Sequence, residues 1–157
     1  MDLQTWELLS YIVTVVGFPA AISVFLYEQR KERDNEEEEV YQLLSDNYQD
    51  FLKIALDNPD LRLFSADQTP VRSEIERERV LIIFSMLVSL FERSYLLLYE
   101  EHMSTIQARR WASWEDYMRE WCRRADFRNV LPELLEGEDV DFKKYIQKLA
   151  ADSRVHE

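Results

Sequence analysis

Residues 8–27 carry no charge over twenty positions and are closed on either side by Glu7 and Glu28. As a helix this stretch extends ~30 Å, the hydrocarbon thickness of a bilayer. The expectation is a single transmembrane helix on which the rest of the chain is hung. A signal peptide needs a positive leading region and a small-x-small cleavage site. The first seven residues instead hold Asp2 and Glu7, without Lys or Arg. A buried core helix is rarely apolar on every face for five turns. Arg30, Lys31 and Arg33 follow the stretch and no Lys or Arg precedes it. That asymmetry places the N-terminus outside and the remainder in the cytoplasm, at the inner membrane.

At 100° per residue, Ser10, Thr14, Gly17 and Ala21 fall within about 60° of one another. Leu8, Tyr11, Val15, Phe18, Ile22 and Leu26 occupy the opposite arc. Small residues let helices approach closely in lipid, so the small face is expected to pack copies together or to line a pore. Pro19 removes a backbone donor and can kink the helix.

The 157 residues carry a net charge of −12, which disfavours broad attraction to nucleic acid or anionic lipid. The single cysteine, Cys122, cannot form an internal disulfide, and two glycines with four prolines favour helix throughout. The predicted fold is all-α: anchor 1–27, charged helical neck 28–57, cytoplasmic helical bundle 58–157.

The neck has no breaker. It passes through the acidic run Glu36, Glu37, Glu38 and Glu39, then continues with apolar residues at helical spacing to about Asp57. Four adjacent carboxylates are either a solvated face or, around a pore, a mouth that concentrates cations. Asn58-Pro59-Asp60 ends the helix. Leu63 and Phe64 are expected to tuck inward from the loop that follows. Ser73 with Glu76 offers a capping box. The apolar run of residues 80–91 is short for a span and reads as the central core helix of the bundle. A helix or helix pair is expected over 105–124, with Ser113 and Asp116 as a second capping box. Trp111, Trp114, Met118 and Trp121 form its inward stripe. Pro132 is expected to break the chain near a short helix. A last helix over 141–151 turns Phe142, Tyr145, Ile146 and Leu149 inward.

There is no Gly-rich phosphate loop, His-Glu-x-x-His, cysteine pair or nucleophile elbow. No enzyme, metal or cofactor is therefore expected. Between Met103 and Val130, however, six arginines face four acids on an otherwise acidic chain. Arg109, Arg110, Arg119, Arg123 and Arg124 could grip phosphates through guanidinium forks, with tryptophans to stack bases. Equally, they could pair with neighbouring acids.

The order of these features resembles a broad group of small single-span bacterial membrane proteins with a cytoplasmic helical domain. It is carried by Tyr48-x-x-Phe51-Leu52, Asn58-Pro59-Asp60-Leu61, the helix holding Phe84, Phe91 and Glu92, Trp111-x-x-Trp114, and Asp126-Phe127-Arg128. Membrane effectors of bacterial antiphage systems, such as that of the Hailong system, have this shape. The resemblance implies a homo-oligomeric ion channel, taken as a tetramer. It also implies that the channel is held shut by oligodeoxyadenylate from a partner nucleotidyltransferase. It assigns no functional residue.

Overall fold

The computed structural model describes residues 17–65, 68–70 and 73–154. Ser10 and Thr14, and with them the first part of the expected span, lie outside the described residues. Among the described residues the chain is all-helical. Its five α-helices are α1 (Phe18–Asp57), α2 (Glu74–Leu98), α3 (Thr105–Cys122), α4 (Ala125–Leu134) and α5 (Val140–Arg154). A 3-10 turn, Pro59–Leu61, follows α1. The chain divides into two compact units between Val40 and Tyr41, inside α1.

In the first unit, the α1 residues Phe18, Ile22, Val24, Phe25, Leu26 and Tyr27 are all exposed, at 44–69%. An apolar helical segment in water, uncovered on every side, is unfavourable by roughly 25 cal/mol for each Å² left wet. Ser23 hides its hydroxyl by donating to the Pro19 carbonyl at 2.8 Å.

The second unit has its own core. Leu44, Tyr48, Phe51 and Ala55 lie at helical spacing and bury the last four turns of α1. Asn58 donates from Nδ2 back to the Ile54 carbonyl, and Pro59 then starts the tighter turn. α2 buries Val80, Ile83, Phe84, Leu87, Val88, Phe91 and Ser94 along one side. Among the described helices it alone is long and apolar enough to cross a membrane, but this buried side is the centre of the bundle. α3 packs on α2, α4 and α5, and α2 also meets α4 and α5. The tryptophan stripe is the inward face of α3, with Trp111, Trp114, Met118 and Trp121 all at 5% exposure or less.

Local chemistry sets the helix ends. Ser73 Oγ accepts from the Glu76 amide at 3.2 Å, where the sequence places that cap. The second capping box is elsewhere than expected. Ser104 accepts from the Gln107 amide and Gln107 Oε1 accepts from the Ser104 amide. Ser113 lies inside α3, because no breaker stands between it and Ser104 and a helix once capped propagates. Asp139 caps α5 by accepting from the Asp141 and Phe142 amides at 2.9 and 3.0 Å. Pro132 does not break α4, which runs on to Leu134. A proline removes only one intrahelical bond, and the buried Phe127 and Leu131 hold the helix in place. Phe64 is 56% exposed, whereas Leu63 is buried as expected.

The two sides of α2 give a direct check of this packing. Leu87→Ala, at a fully buried site, should lower stability by about 2–5 kcal/mol. Leu97→Ala, at a site 53% exposed, should change it by less than about 0.5 kcal/mol. Thermal or urea unfolding of both variants measures the difference.

Candidate functional site

The arginines that the sequence groups together are dispersed by the fold. Arg124 is the most deeply engaged. Its side chain is 7% exposed and its fork grips Asp126, with Nη2 to Oδ2 at 2.7 Å and Nε to Oδ1 at 3.1 Å. Nη1 donates to the Leu63 carbonyl at 2.5 Å, and Nη2 to Thr69 Oγ1 at 3.1 Å. Asp126 also accepts from the Thr69 amide at 2.6 Å. The guanidinium carbon lies 5.9 Å from the centre of the Phe84 ring. One buried cation therefore fastens Leu63 and Thr69 onto α2 and α4.

Arg128 is also buried and donates to the Cys122 and Arg123 carbonyls at 3.0 and 2.6 Å. A cation over those last carbonyls of α3 satisfies them and complements the helix dipole. Arg119 pairs with Glu115 at 2.5 Å. Arg110 lies over the Tyr41 ring at 5.5 Å. Arg109 and Arg123 are exposed, about 21 Å apart along α3 at 1.5 Å per residue. Glu36, Glu38 and Glu39 are exposed and Glu37 is half-buried; Gly17, just before α1, and Ala21 on it are exposed.

Two concave features adjoin the Arg124 hub. One cavity of about 330 Å³ is lined by Leu63, Phe64, Trp121, Glu120, Arg123 and Arg124. Phe64 meets the edge of Trp121 there, with centroids 5.2 Å apart. A wider groove of about 620 Å³ runs between the end of α1 and the 59–65 turn, past Leu52, Leu56 and Phe64. Of the expected ligand-binding arginines, Arg123 and Arg124 line the same cavity, and there Glu120 offsets a charge while Arg124 is already bonded.

A second polar cluster, unreadable from sequence spacing, joins α3 to α5. Trp111 Nε1 donates to Tyr145 Oη at 3.1 Å, and Tyr145 donates a short hydrogen bond to Glu115 Oε2. Burial acts to raise the Glu115 carboxyl, but the Tyr145 hydrogen bond and the Arg119 pair outweigh it and hold the group below its ordinary value. Tyr145 is pushed well above its usual range, first by burial and then by Glu115.

A third cluster joins α2 to the α4–α5 turn. Glu92 Oε1 accepts from the Asp139 amide at 2.5 Å. A hydrogen bond with the Glu92 carboxyl, then burial, push Glu138 up to about 7. Two carboxyls this close retain a proton between them, with Lys143 opposing the effect.

Cys122 is fully buried, and burial pushes its thiol up to about 12, which makes it a poor nucleophile as folded. Among the described residues, no group of three or more His, Cys, Asp and Glu is placed to hold a metal ion. Every buried side-chain nitrogen and oxygen among them has a hydrogen-bond partner. No family model, curated protein or solved structure matches the chain.

Two outcomes follow from these geometries. Arg124→Gln leaves Asp126, Thr69 and the Leu63 carbonyl short of partners and should cost about 3–5 kcal/mol. Arg123→Gln, at an exposed site, should cost under about 0.5 kcal/mol, as read by denaturant unfolding. For Glu138, whose pKa in the folded chain is raised above its ordinary 4.5, the stabilising contribution is complete below pH ~4.5. It is lost as pH rises through about 7. Glu138→Gln should match the native melting temperature near pH 5 and exceed it at pH 8 by about 2–4 °C, after discounting for solvent screening.

Proposed function

We propose that the protein is a homo-oligomeric membrane effector whose N-terminal spans insert side by side in the bilayer and form a regulated pore. The observation that carries this reading is the uncovered apolar segment of α1. Six large apolar side chains between Phe18 and Tyr27 are exposed within one helix. The charged residues from Glu28 onward then continue the same helix. Lipid is the environment that removes the cost of that exposure, and the basic residues Arg30, Lys31 and Arg33 set the orientation with the bundle in the cytoplasm. The small face that includes Gly17 and Ala21 supports close approach of copies. The exposed carboxylates of Glu36, Glu38 and Glu39, about two to three turns beyond Tyr27, support a cation-concentrating mouth. The resemblance to antiphage effectors supports control of such a pore by an oligonucleotide from a partner nucleotidyltransferase.

A second reading, a membrane-tethered interaction module without a pore, is favoured by the arginines. Arg124 and Arg128 are engaged in the fold and Arg119 in an ion pair, which supports a structural role for these three. Ion flux across liposomes containing the purified full-length chain separates the readings. The pore reading expects flux that depends on Gly17 and the acidic run. The module reading expects none, with partner binding retained when the span is replaced by an unrelated one.

Phe18→Arg tests the membrane step shared by both. A charge at the centre of a span costs about 2.5–3.5 kcal/mol in insertion, and Phe18 stands at the centre of residues 8–27. The variant should leave the membrane fraction and lose any flux, whereas Phe18→Leu should behave as the native chain. Fractionation with unchanged membrane partition of Phe18→Arg would remove the anchor.

A further inference from the structure

α2 has two sides of opposite character. Its buried residues lie within one arc of the helix, and the opposite arc of about 120° is exposed throughout. That outer arc carries large apolar side chains in line, with Ile75 72%, Ile82 54%, Met86 46% and Leu96 57% exposed. Two serines, Ser85 and Ser89, stand between them and leave room for a second helix to approach within about 8–10 Å. Two charges complete the arc, Glu78 toward one end and Arg93 toward the other. Among the described residues neither side chain is ion-paired or hydrogen-bonded.

We propose that this outer face of α2 docks a second copy of the same chain, the two helices antiparallel about a two-fold axis between Ser85 and Met86. The register is dictated by the sequence. With the axis there, Glu78 of each copy meets Arg93 of the other, so both charges are compensated twice. Ile75 meets Leu96 at both ends, Ile82 meets Ser89, and Met86 fills the space over Ser85. One surface complements itself, which is the condition for a closed dimer. Contact over this length requires the shallow crossing of about 20° in which side chains of one helix seat between those of the other. A heterologous helix would need the same apolar spacing with the charges reversed in order, and an antiparallel copy of α2 supplies that pattern. Acyl chains would leave both charges uncompensated. Anionic headgroups would suit Arg93 and repel Glu78. The surface belongs to the bundle, so the proposal stands apart from any pore made by the spans.

The test uses the full chain in detergent, with Ser85→Cys as a cross-linking site close to the axis and a short bis-maleimide as the probe. The native Cys122 is buried and unreactive as folded. Ser85→Cys should give a covalent dimer. Ile75→Cys should not, because the two copies of residue 75 sit roughly 30 Å apart in an antiparallel pair. Adding Glu78→Arg or Arg93→Glu to Ser85→Cys should lower the dimer yield about tenfold by placing like charges together. Adding both should restore it. The swap of two exposed charges spares the core, and circular dichroism confirms that each variant is folded. The proposal is overturned by a dimer yield indifferent to the charges, by a double swap that fails to restore it, or by cross-linking at residue 75 equal to that at 85. The last result marks parallel packing driven by the spans. No cross-linking at Ser85→Cys under any condition leaves the face to lipid or to another protein and equally overturns it. Liposome flux is read separately, so loss of the pore leaves this result unchanged.

Discussion

A guanidinium taken out of water must find partners on every side, and Arg124 does so only if three stretches of chain meet. Asp126 is two residues away, but Thr69 and Leu63 lie 55 and 61 residues back in sequence. Among the described residues of the connection from α1 to α2, the buried apolar ones are Leu61 and Leu63. Its path over the bundle is held by the cation, and Asp126 secures the same path by accepting the Thr69 amide. The position of Phe64 against Trp121, the cavity below it and the groove beside Leu56 all depend on that route. In this fold the buried ion pair determines where a connection runs, while the apolar core determines how the helices stack.

The helices were legible because their apolar residues repeat at the helical period. The α1 stripe from Leu44 to Ala55, the α2 core run and the α3 tryptophans each show that repeat and each is buried. The charged residues carried no such signal. Six arginines within one window look alike in sequence, yet the fold buries two, pairs one with Glu115 and lays another on Tyr41. What separates them is the arrival of Leu63, Thr69 and Tyr41 from distant parts of the chain. Short-range spacing does not encode such arrivals. The same holds for Tyr145, whose aromatic position announced a core residue but whose hydrogen bond to Glu115 needed α3 and α5 side by side. Ser104 was legible in principle: it is followed three residues later by Gln107, the same signature read at Ser113, and it comes earlier in the same unbroken helix.

The interior of the bundle is polar in places, and those places are joined. Trp111, Tyr145, Glu115 and Arg119 form one chain of hydrogen bonds between α3 and α5, and Glu92 with Asp139 ties α2 to the turn before α5. Aromatic rings surround the first chain, with Tyr95 and Tyr99 stacked at 4.8 Å and both against Trp111. Such networks fix one helix arrangement among many that an apolar core alone would tolerate. Among the described residues, apolar side chains are left open in rows at the start of α1 and along the outer side of α2, and singly at Leu43, Leu56, Phe64, Ile106 and Val140. A chain with so orderly an interior places its unfinished contacts outside.

Cys122 gives the bundle an internal clock. The thiol is sealed at the end of α3, beside the Arg128 cap, and no reagent reaches it while α3 and α4 remain docked. Once exposed, an ordinary thiol ionises near pH 8.5 and reacts at a rate set by the reagent. When reclosing is fast, the observed labelling rate is that rate scaled by the fraction of time the helices are apart. The chain's single sulfhydryl therefore converts the opening free energy of its own core into a rate, without an added probe.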